Sequence, residues 1–483
     1  MATAKPTVFV LFGATGDLAK RMVLPAFYSL AAEGLMPEKW ALVGNGRGDV
    51  SHMDFRGHVK KSLDEFGPGK KLDKKVWADF EQRIFFAGGG FDRSDPGSLL
   101  DVIEQTREHV GDDVQLIHYL AVPPVAFTEI TKGLGEHDLA KDARVVYEKP
   151  FGTSPENFQE LDEAVHAVLD EQQVFRIDHF LGKEATQDLH VLRFANGLFH
   201  AAWSKQHIES VQIDVPEDLD VADRADFYDH TGAVLDMLVT HLFQVAAEVA
   251  MEPPESVSPE HLQAAREKVI GCFRPLDPSE VVLGQFEGYR DIEGIADDST
   301  TDTFVAARLW IDNDRWDGVP FLLRTGKRMA VSKQTVSLVL REPTGTFKHL
   351  PSHGNVISFE LKGDGEIALR MVAKRPGAEL KLDVAEASIP LAMLDGADPL
   401  PPYVRLIHDV VLGDRSLFTR PDGLAAVWDV AQPLLDARPE VQPYPPDSWG
   451  PKAADELAGP DGWFLQRQQA DAQQNDKNDT SRK

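Results

Sequence analysis

Short apolar segments of strand length alternate with longer polar segments of helix length over the first third of the chain. The first of them, residues 7–12, reads TVFVLF, and further apolar runs cover 41–43, 116–122, 144–147 and 175–177. The intervals between these runs are long enough to hold helices. This alternation is typical of a parallel, doubly wound sheet, so the sequence predicts an α/β domain at the N-terminus.

After about Gly182 the pattern changes to longer segments in which apolar and polar residues alternate. These segments cover 209–215, 303–311, 335–341, 356–361 and 366–372. Alternation predicts a large antiparallel sheet with one covered face, and the apolar spacing of residues 232–251 predicts a buried helix. We therefore predict an α/β domain over residues 1–180 and an α+β domain over 181–465. Residues 466–483 are polar and aperiodic, which predicts a disordered tail.

A glycine turn follows the first predicted strand. Gly13, Thr15, Gly16, Asp17 and Leu18 lead from that strand into a helical segment. Backbone N–H groups in such a turn, together with the N-terminus of the helix, can bind a pyrophosphate. The turn lacks the full G-x-G-x-x-G spacing, so an ordinary strand–turn–helix connection is the alternative. Its place after the first strand favours a Rossmann-like dinucleotide-binding domain.

A cation follows the second predicted strand, at the position whose charge selects between two related dinucleotides. The segment Gly44-Asn45-Gly46-Arg47 follows residues 41–43. A carboxylate at this place accepts from a ribose 2′-hydroxyl, whereas a cation pairs with a 2′-phosphate. Arg47 therefore favours NADP, unless it is a solvated surface arginine. Asp49 follows two residues later and keeps NAD possible.

Composition and charge narrow the set of partners. The 483 residues include 50 lysines and arginines against 78 aspartates and glutamates, a formal net charge of −28. This charge disfavours nucleic acid and anionic membranes as partners, and an anionic ligand needs locally clustered cations. The one cysteine, Cys272, can form no disulfide within the chain and excludes a cysteine-rich zinc site. No continuous apolar run reaches the ~18 residues of a membrane span. We expect a cytoplasmic protein without a metal.

Several further segments, together with the glycine turn, form a pattern that resembles one enzyme family. They read GATGDL at 13–18, YLAVPP at 119–124, EKPFG at 148–152, RIDHFLGKE at 176–184, WDGVPF at 316–321 and RTGK at 324–327. In this order and spacing they resemble the glucose-6-phosphate dehydrogenases, from about residue 8 to 463. The RIDH segment is the most specific, because EKP also occurs in the glucose-fructose oxidoreductase superfamily.

The resemblance implies oxidation of the C1 hydroxyl of glucose 6-phosphate to 6-phosphoglucono-1,5-lactone with hydride transfer to NADP, the first step of the pentose phosphate pathway. Removing a hydride from an alcohol needs a base with a pKa near neutrality. On helix 232–251, His241 has Met237, Leu238 and Val245 at helical spacing, so it projects from an apolar face. A histidine there is more often part of the core. The resemblance nevertheless assigns it as the catalytic base.

The phosphate of a hexose phosphate needs local cations, and two candidates lie four residues apart. His179 and Lys183 can reach one phosphate if Lys183 opens a helix. Asp178 would orient and offset the imidazole, and its alternative role is to cap the loop. The resemblance further implies three residues at the sugar hydroxyls: Glu217, Asp236 and Lys327.

Lys149 follows a predicted parallel strand, at the edge where such sheets bind ligands. The resemblance implies that it contacts both substrate and dinucleotide. Because proline follows it, the bond between Lys149 and Pro150 is a candidate cis peptide.

The chain departs from the family pattern at several positions near these residues. Phe180 stands where the family usually has a tyrosine, and Val239-Thr240 stands where Gln-Asn usually precedes the base. Met22 replaces a lysine of the glycine-turn helix. Lys362 falls at the position expected to orient the base, and a lysine cannot accept the N–H of an imidazole. These departures predict reduced efficiency.

The sequence leaves two other functions open. A non-catalytic paralogue that senses sugar phosphates or regulates a partner would explain the departures at residues 180, 239, 240 and 362, whereas retention of His241 argues against it. An oxidoreductase of the glucose-fructose oxidoreductase type would share Lys149, but the cations around His179 favour a phosphorylated sugar. The resemblance also implies a homodimer or homotetramer.

Overall fold

The structure is a computed structural model that describes residues 5–480 except 70, 71, 222, 223, 344, 346, 348, 349, 352 and 353, and it describes no side chain from 473 to 480. The chain forms two compact units. Unit 1 contains the described residues up to Gly182 together with Glu255–Gln263 and Leu400–Ala425. Unit 2 contains Lys183–Pro254, Ala264–Pro399 and the described residues from Ala426 onward.

The strands are β1 (Thr7–Phe12), β2 (Trp40–Asn45), β3 (Ile84–Ala87), β4 (Gln115–Leu120), β5 (Arg144–Tyr147), β6 (Val174–Ile177), β7 (Ile208–Pro216), β8 (Val281–Phe286), β9 (Phe304–Leu309), β10 (Phe321–Gly326), β11 (Thr335–Leu340), β12 (Val356–Glu360), β13 (Glu366–Lys374), β14 (Leu382–Pro390), β15 (Phe418–Thr419) and β16 (Val441–Tyr444). The α-helices are α1 (Leu24–Ala32), α2 (His52–Phe66), α3 (Lys74–Phe80), α4 (Leu99–Val110), α5 (Phe127–Glu136), α6 (Pro155–His166), α7 (Glu184–Ala195), α8 (Gly197–Ala202), α9 (Ala225–Ala233), α10 (Phe243–Ala250), α11 (Pro259–Ile270), α12 (Pro402–Leu412), α13 (Pro421–Asp436), α14 (Ala453–Leu457) and α15 (Phe464–Thr480). Two further helical segments, Ala19–Val23 and Val234–Leu242, are π-helical.

Unit 1 is built on a seven-stranded sheet in the order β15-β6-β5-β4-β1-β2-β3. Strands β1 to β6 are all parallel, and the short β15 pairs antiparallel with β6. All six residues of β1 and all six of β2 are buried, as expected of parallel strands covered on both faces. The α/β sheet predicted from the sequence is confirmed. The sequence analysis did not identify β3.

Two segments that the sequence assigns to the second domain belong to unit 1. Glu255–Gln263 and Leu400–Ala425 group with the parallel sheet of unit 1 rather than with the other residues of 181–465. The reason is apolar burial, because Leu406 and Phe418 are fully buried in the same core as Phe9 and Phe27 of the first domain. Local patterning carries no signal for such a return of the chain.

Unit 2 is built on a nine-stranded sheet in the order β14-β13-β12-β11-β7-β10-β9-β8-β16. Most neighbours are antiparallel, as predicted, whereas the pairs β7–β10 and β8–β16 are parallel. The sheet is therefore mixed. A core that includes Phe304, Leu322 and Trp463 lies against it.

One continuous helical stretch of unit 2, Ala225–Ala250, is long and apolar enough by composition to cross a bilayer. Within its most apolar window, 89% of the residues are buried inside the protein. Asp236 and Glu248 interrupt the apolar residues of this stretch. Such burial is typical of a core helix in a large domain.

The C-terminal segment differs from the disordered tail expected for 466–483. Helix α15 runs from Phe464 to Thr480, and residues 481–483 lie outside the described residues. The buried side chains of Phe464 and Leu465 anchor its first turn. The residues that follow include five glutamines, two alanines, an arginine and a lysine, which favour helix despite the low hydrophobicity of the segment.

Candidate functional site

The glycine turn of unit 1 has the geometry of a phosphate-binding turn. Gly13 has a φ of 72°, and a Cβ atom there would clash with the carbonyl oxygen of Ala121. The Gly16 N–H donates to the Gly13 carbonyl oxygen at 2.9 Å, which closes the turn. The chain is helical from Asp17 onward, and Thr15, Gly16 and Asp17 are exposed. The turn therefore presents backbone and a helix N-terminus at the surface of unit 1, as a pyrophosphate requires.

The loop after β2 is held by a residue that sequence reasoning did not single out. The buried Asn45 side chain donates to the carbonyl oxygens of Ala87 at 3.2 Å and Gly90 at 3.1 Å. These two bonds tie the loop to the segment after β3. Arg47 and Asp49 lie beyond this anchor and are exposed.

The end of β5 carries a buried carboxylate next to Lys149. Glu148 is 4% exposed, and its Oε1 accepts a hydrogen bond from the Tyr119 hydroxyl at 2.6 Å. Burial raises the pKa of Glu148 to about 7, although the Tyr119 hydroxyl, the Lys149 charge and the Tyr403 hydroxyl all lower it. The Lys149–Pro150 peptide is cis, as hypothesised. Sequence reasoning quoted Glu148 only as part of a motif and gave it no role.

Asp178 and His179 follow β6, the strand next to β5 in the sheet. Asp178 is buried, and its Oδ1 accepts from the Phe180 N–H at 2.9 Å, so the loop-capping role is present. The imidazole of His179 is stacked near the ring of Tyr403, with ring centroids 6.3 Å apart and planes at 19°. Phe180 is buried at 4.9 Å from the same imidazole.

Lys183 opens helix α7 of unit 2, as predicted. It is the residue immediately before the first helical turn, and its Nζ donates to Gln334 Oε1 at 2.6 Å and to the Leu361 carbonyl oxygen at 3.3 Å. The side chain thus lies against the ends of β11 and β12. Sequence reasoning gave no role to Gln334.

Glu217 and Lys327 form an ion pair between the ends of the parallel strands β7 and β10. The Lys327 side chain is 14% exposed, and its Nζ lies 5.5 Å from the ring centroid of Tyr228. Tyr228 is buried, and its pKa is raised by burial and by nearby carboxylates, among them Asp236. Three residues assigned to the sugar hydroxyls therefore lie in one neighbourhood of unit 2.

The helix that carries His241 differs from the regular helix predicted over 232–251. Residues Val234–Leu242 are π-helical, and Thr240 Oγ1 donates to the carbonyl oxygen five residues earlier. In this geometry the carbonyl group in register with the N–H of His241 is that of Asp236, five residues earlier, rather than that of Met237. His241 is fully buried and Asp236 is 6% exposed. The widened turn brings these two residues closer in direction than the roughly 140° that five residues span in a regular α-helix.

The π-helical segment begins at a glycine and a buried aspartate. Gly232 has a φ of 66°, and a Cβ there would clash with the Asp302 carboxylate. That carboxylate accepts from the Val234 N–H at 2.8 Å. Glycine therefore permits the close approach that starts the segment.

The first departure from the family pattern lies near the glycine turn of unit 1. Met22 is 41% exposed, while Lys20 pairs with Glu65 at 2.8 Å and Arg21 pairs with Asp17 at 2.7 Å. Both cations near the glycine turn are therefore engaged with carboxylates.

In unit 2, Lys362 is exposed and its Nζ donates to Ser332 Oγ at 2.7 Å. The neighbouring Glu360 accepts from the Gln334 N–H at 3.1 Å and lies 3.3 Å from Lys333 Nζ. Glu360, rather than Lys362, is the polar residue of β12 that packs beside Gln334.

These features define a class of protein before they define a family. A doubly wound parallel sheet with a glycine turn after its first strand, followed by a large mixed sheet, is typical of dinucleotide-dependent oxidoreductases. Sequence comparison is more specific. The family described as "Glucose-6-phosphate dehydrogenase, NAD binding domain" matches residues 10–188, and "Glucose-6-phosphate dehydrogenase, C-terminal domain" matches residues 190–466.

Curated relatives match over nearly the whole chain. The glucose-6-phosphate 1-dehydrogenase of Chlamydia muridarum is 33% identical over 491 residues, covering 95% of this chain and 96% of the relative. Glucose-6-phosphate 1-dehydrogenase 1 of Mycobacterium tuberculosis is 36% identical over 462 residues, covering 94% and 96%.

Solved structures agree. A glucose-6-phosphate 1-dehydrogenase from Mycobacterium avium aligns with a TM-score of 0.83 and 34% identity over 95% of this chain and 98% of that one. A glucose-6-phosphate dehydrogenase in complex with glucose 6-phosphate aligns with a TM-score of 0.89 and 32% identity over 96% and 99%. The chain belongs to the glucose-6-phosphate dehydrogenase family, and its N-terminal domain is the NAD-binding domain of that family.

Proposed function

We propose that this protein oxidises glucose 6-phosphate at C1 to 6-phosphoglucono-1,5-lactone and transfers the hydride to NADP, the first step of the pentose phosphate pathway. One observation carries the proposal. The chain aligns over 96% of its length with a glucose-6-phosphate dehydrogenase solved with that sugar phosphate. The glycine turn and the buried imidazole described above agree with the two demands of the reaction, a dinucleotide site and a base.

The dinucleotide supplies the hydride acceptor, and this chain supplies the base and the contacts. His241 takes the proton of the C1 hydroxyl, which makes loss of the hydride favourable. A fully buried imidazole is shielded from bulk water. Asp178, beside His179, is the candidate to orient the imidazole of His179 and to offset its charge.

The same chain provides the groups that hold the substrate. His179 and Lys183 bind the phosphate, and Lys149 contacts both ligands. Lys327 forms an ion pair with Glu217, and the carboxylates of Glu217 and Asp236 are the candidates to accept hydrogen bonds from sugar hydroxyls.

An absorbance assay at the reduced-nicotinamide band, with glucose 6-phosphate and each dinucleotide in turn, tests the activity. We expect turnover in the wild type and its loss in His241→Asn with the fold intact by circular dichroism. His230→Asn is the matched control, because His230 is exposed on α9 of the same unit. Near-parental turnover in His241→Asn would exclude His241 as the base, and no turnover in the wild type would favour the sugar-phosphate sensor.

Arg47 is the residue proposed to pair with the 2′-phosphate of NADP. It is exposed just beyond the loop anchored by Asn45, where a guanidinium can form a bidentate pair with a phosphate. We expect Arg47→Ala to raise KM for NADP and to leave KM for NAD unchanged. Lys60→Ala removes an equivalent exposed charge on α2 and is the control. Equal losses for both dinucleotides would remove Arg47 from this role.

The outer strands of unit 2 support self-association into a dimer or tetramer. Register pairs Met371 with Ala385, and Leu369 with Ala387, so these residues share one face of the β13–β14 ribbon. The exposed apolar residues on that face are Met371, Ala373, Ala385, Ala387 and Ile389, whereas Leu369 is half-buried and Ile367 is buried. Met371 is 50% exposed and Ile389 42% exposed. A contiguous exposed apolar face marks a contact surface.

Light scattering after size exclusion tests this surface. We expect an oligomer for the wild type and a shift toward monomer for Met371→Glu. Met53→Glu, on a methionine of unit 1 that is 76% exposed, is the control. An unchanged mass for Met371→Glu would place the contact elsewhere.

A further inference from the structure

Beneath His179 lies a small network that the catalytic roles above do not use. It consists of Glu148 at the end of β5, Tyr119 at the end of β4, and Tyr403 on α12. All of these residues belong to unit 1. Tyr403 is contributed by the segment that returns to unit 1 from far along the chain.

The network is anchored at a single carboxylate. Glu148 accepts hydrogen bonds from the Tyr119 hydroxyl, at 2.6 Å, and from the Tyr403 hydroxyl. Tyr119 is 1% exposed and Glu148 is 4% exposed, so both lie in a close-packed interior. The Tyr403 ring is therefore held at its hydroxyl end by a group that cannot itself move.

The face of the Tyr403 ring lies beside the His179 imidazole, with planes only 19° apart. Phe180 packs against the same imidazole at a steeper angle of 57°. Ring contacts of this kind occupy the faces of an imidazole and leave its edge, where both nitrogens lie, for polar partners.

We propose that Glu148 and Tyr403 are positioning residues that hold His179 in the orientation in which its imidazole binds the substrate phosphate. This inference rests on the proposed function, because it assigns no new ligand. A phosphate-binding side chain is effective only when its rotamer is fixed by the residues behind it. Because its hydroxyl is bonded to the buried Glu148, the Tyr403 ring keeps a fixed position beside the imidazole.

Two substitutions at position 403 separate the ring from its anchor. Tyr403→Phe keeps the stacked ring and removes the bond to Glu148, whereas Tyr403→Leu removes both. Tyr147→Phe is the control, since it deletes another buried hydroxyl of unit 1, bonded to Thr131 at 2.7 Å. The measurements are kcat, KM for glucose 6-phosphate, and the inhibition constants of inorganic phosphate and of glucose as competitors.

We expect KM for glucose 6-phosphate and the inhibition constant of phosphate to rise together, about threefold in Tyr403→Phe and about tenfold in Tyr403→Leu. The inhibition constant of glucose and kcat should stay within about twofold, because a misplaced His179 weakens only the phosphate contact. Tyr147→Phe should change none of them. The smaller rise of both constants in Tyr403→Phe than in Tyr403→Leu is the rescue by the conservative variant.

A parallel loss for phosphate and glucose would show a general structural effect and overturn the inference, as would unchanged constants in both variants. If Tyr403→Leu fails to fold, Tyr403→Phe alone decides by the same criterion. A wild type that neither oxidises nor binds glucose 6-phosphate defeats the proposed function instead, and the inference falls with it.

Discussion

Replacing Glu148 with glutamine should change how the stability of unit 1 depends on pH. Burial raises the pKa of this carboxyl from its ordinary 4.5 to about 7. Between these values the native carboxyl keeps its proton while the unfolded one releases it. The free energy of unfolding therefore falls as pH rises from about 4.5 to about 7, and the contribution is fully present only below 4.5.

The size of the effect follows from the two pKa values. The interval from 4.5 to about 7, at ~1.4 kcal/mol per pH unit, corresponds to about 3 kcal/mol. Glutamine does not titrate, so Glu148→Gln lacks this slope. Relative to the wild type, the variant should gain about 3 kcal/mol in the free energy of unfolding between pH 4.5 and pH 8.

Because the chain has two compact units, an observable local to unit 1 reports on Glu148 more directly than the unfolding of the whole chain does. Hydrogen exchange of the β4 and β5 amides, read by mass spectrometry from pH 5 to 8 after correction for the intrinsic rate, isolates the region concerned. Glu129→Gln, at an exposed position on α5, is the control and should show no such slope. A wild-type-to-variant difference that is constant with pH, or that changes in the wild type's favour as pH rises, would refute the reasoning.

Three further predictions concern single sites. Gly13→Ala should lower stability by about 1–3 kcal/mol and raise KM for the dinucleotide, since alanine is strained at a φ of 72°; urea denaturation with unchanged midpoint and KM would contradict it. A double-mutant cycle with Lys327→Met and Glu217→Gln should give a coupling of roughly 0.5–3 kcal/mol in thermal unfolding, and zero coupling would remove the ion pair as a stabilising contact. Burial raises the pKa of Glu248, but Arg266 and a neighbouring histidine outweigh it and hold the pKa at about 2. The stabilisation is therefore present above pH 4.5 and lost as pH falls toward 2. In urea titrations, Glu248→Gln should lower the free energy of unfolding by about 3 kcal/mol at pH 7 and by progressively less below pH 4. A loss that does not depend on pH would contradict this prediction.

Much of the fold could be predicted from local pattern. The runs at 7–12 and 144–147 coincide with β1 and β5 because a largely apolar strand-length run suits a strand that is covered on both faces of a doubly wound sheet. The four-residue β3, Ile84–Ala87, was missed although β5 is equally short, since periodicity alone does not separate a short apolar strand from a buried helical segment. The return of α12 to unit 1 depends on packing across the chain, which no local pattern contains.

The candidate site also has features that the local sequence predicts and features that depend on packing between distant residues. Gly13, Lys183 and the cis bond before Pro150 follow from residue types at particular positions, and the structure agrees with the local geometry expected there. Glu148 acquires its pKa and its partners only from burial beside Tyr119 and Tyr403, residues distant in sequence. Similarly, the alignment of Asp236 with His241 depends on a π-helical turn, which a 3.6-residue period cannot reveal.

That π-helical turn has a consequence for insertions and deletions. In a regular α-helix each residue rotates the chain by about 100°, so deleting Val239 alone restores regular hydrogen bonding and leaves Asp236 and His241 four residues apart, a spacing that keeps them on one face. Inserting one residue there instead puts the two six positions apart, which separates them by about 120° around a regular α-helix. Helicity measured by circular dichroism would hardly change. The direction of the imidazole relative to the Asp236 carboxylate thus depends on the number of residues between them, and the insertion of one residue is more damaging here than the deletion of one.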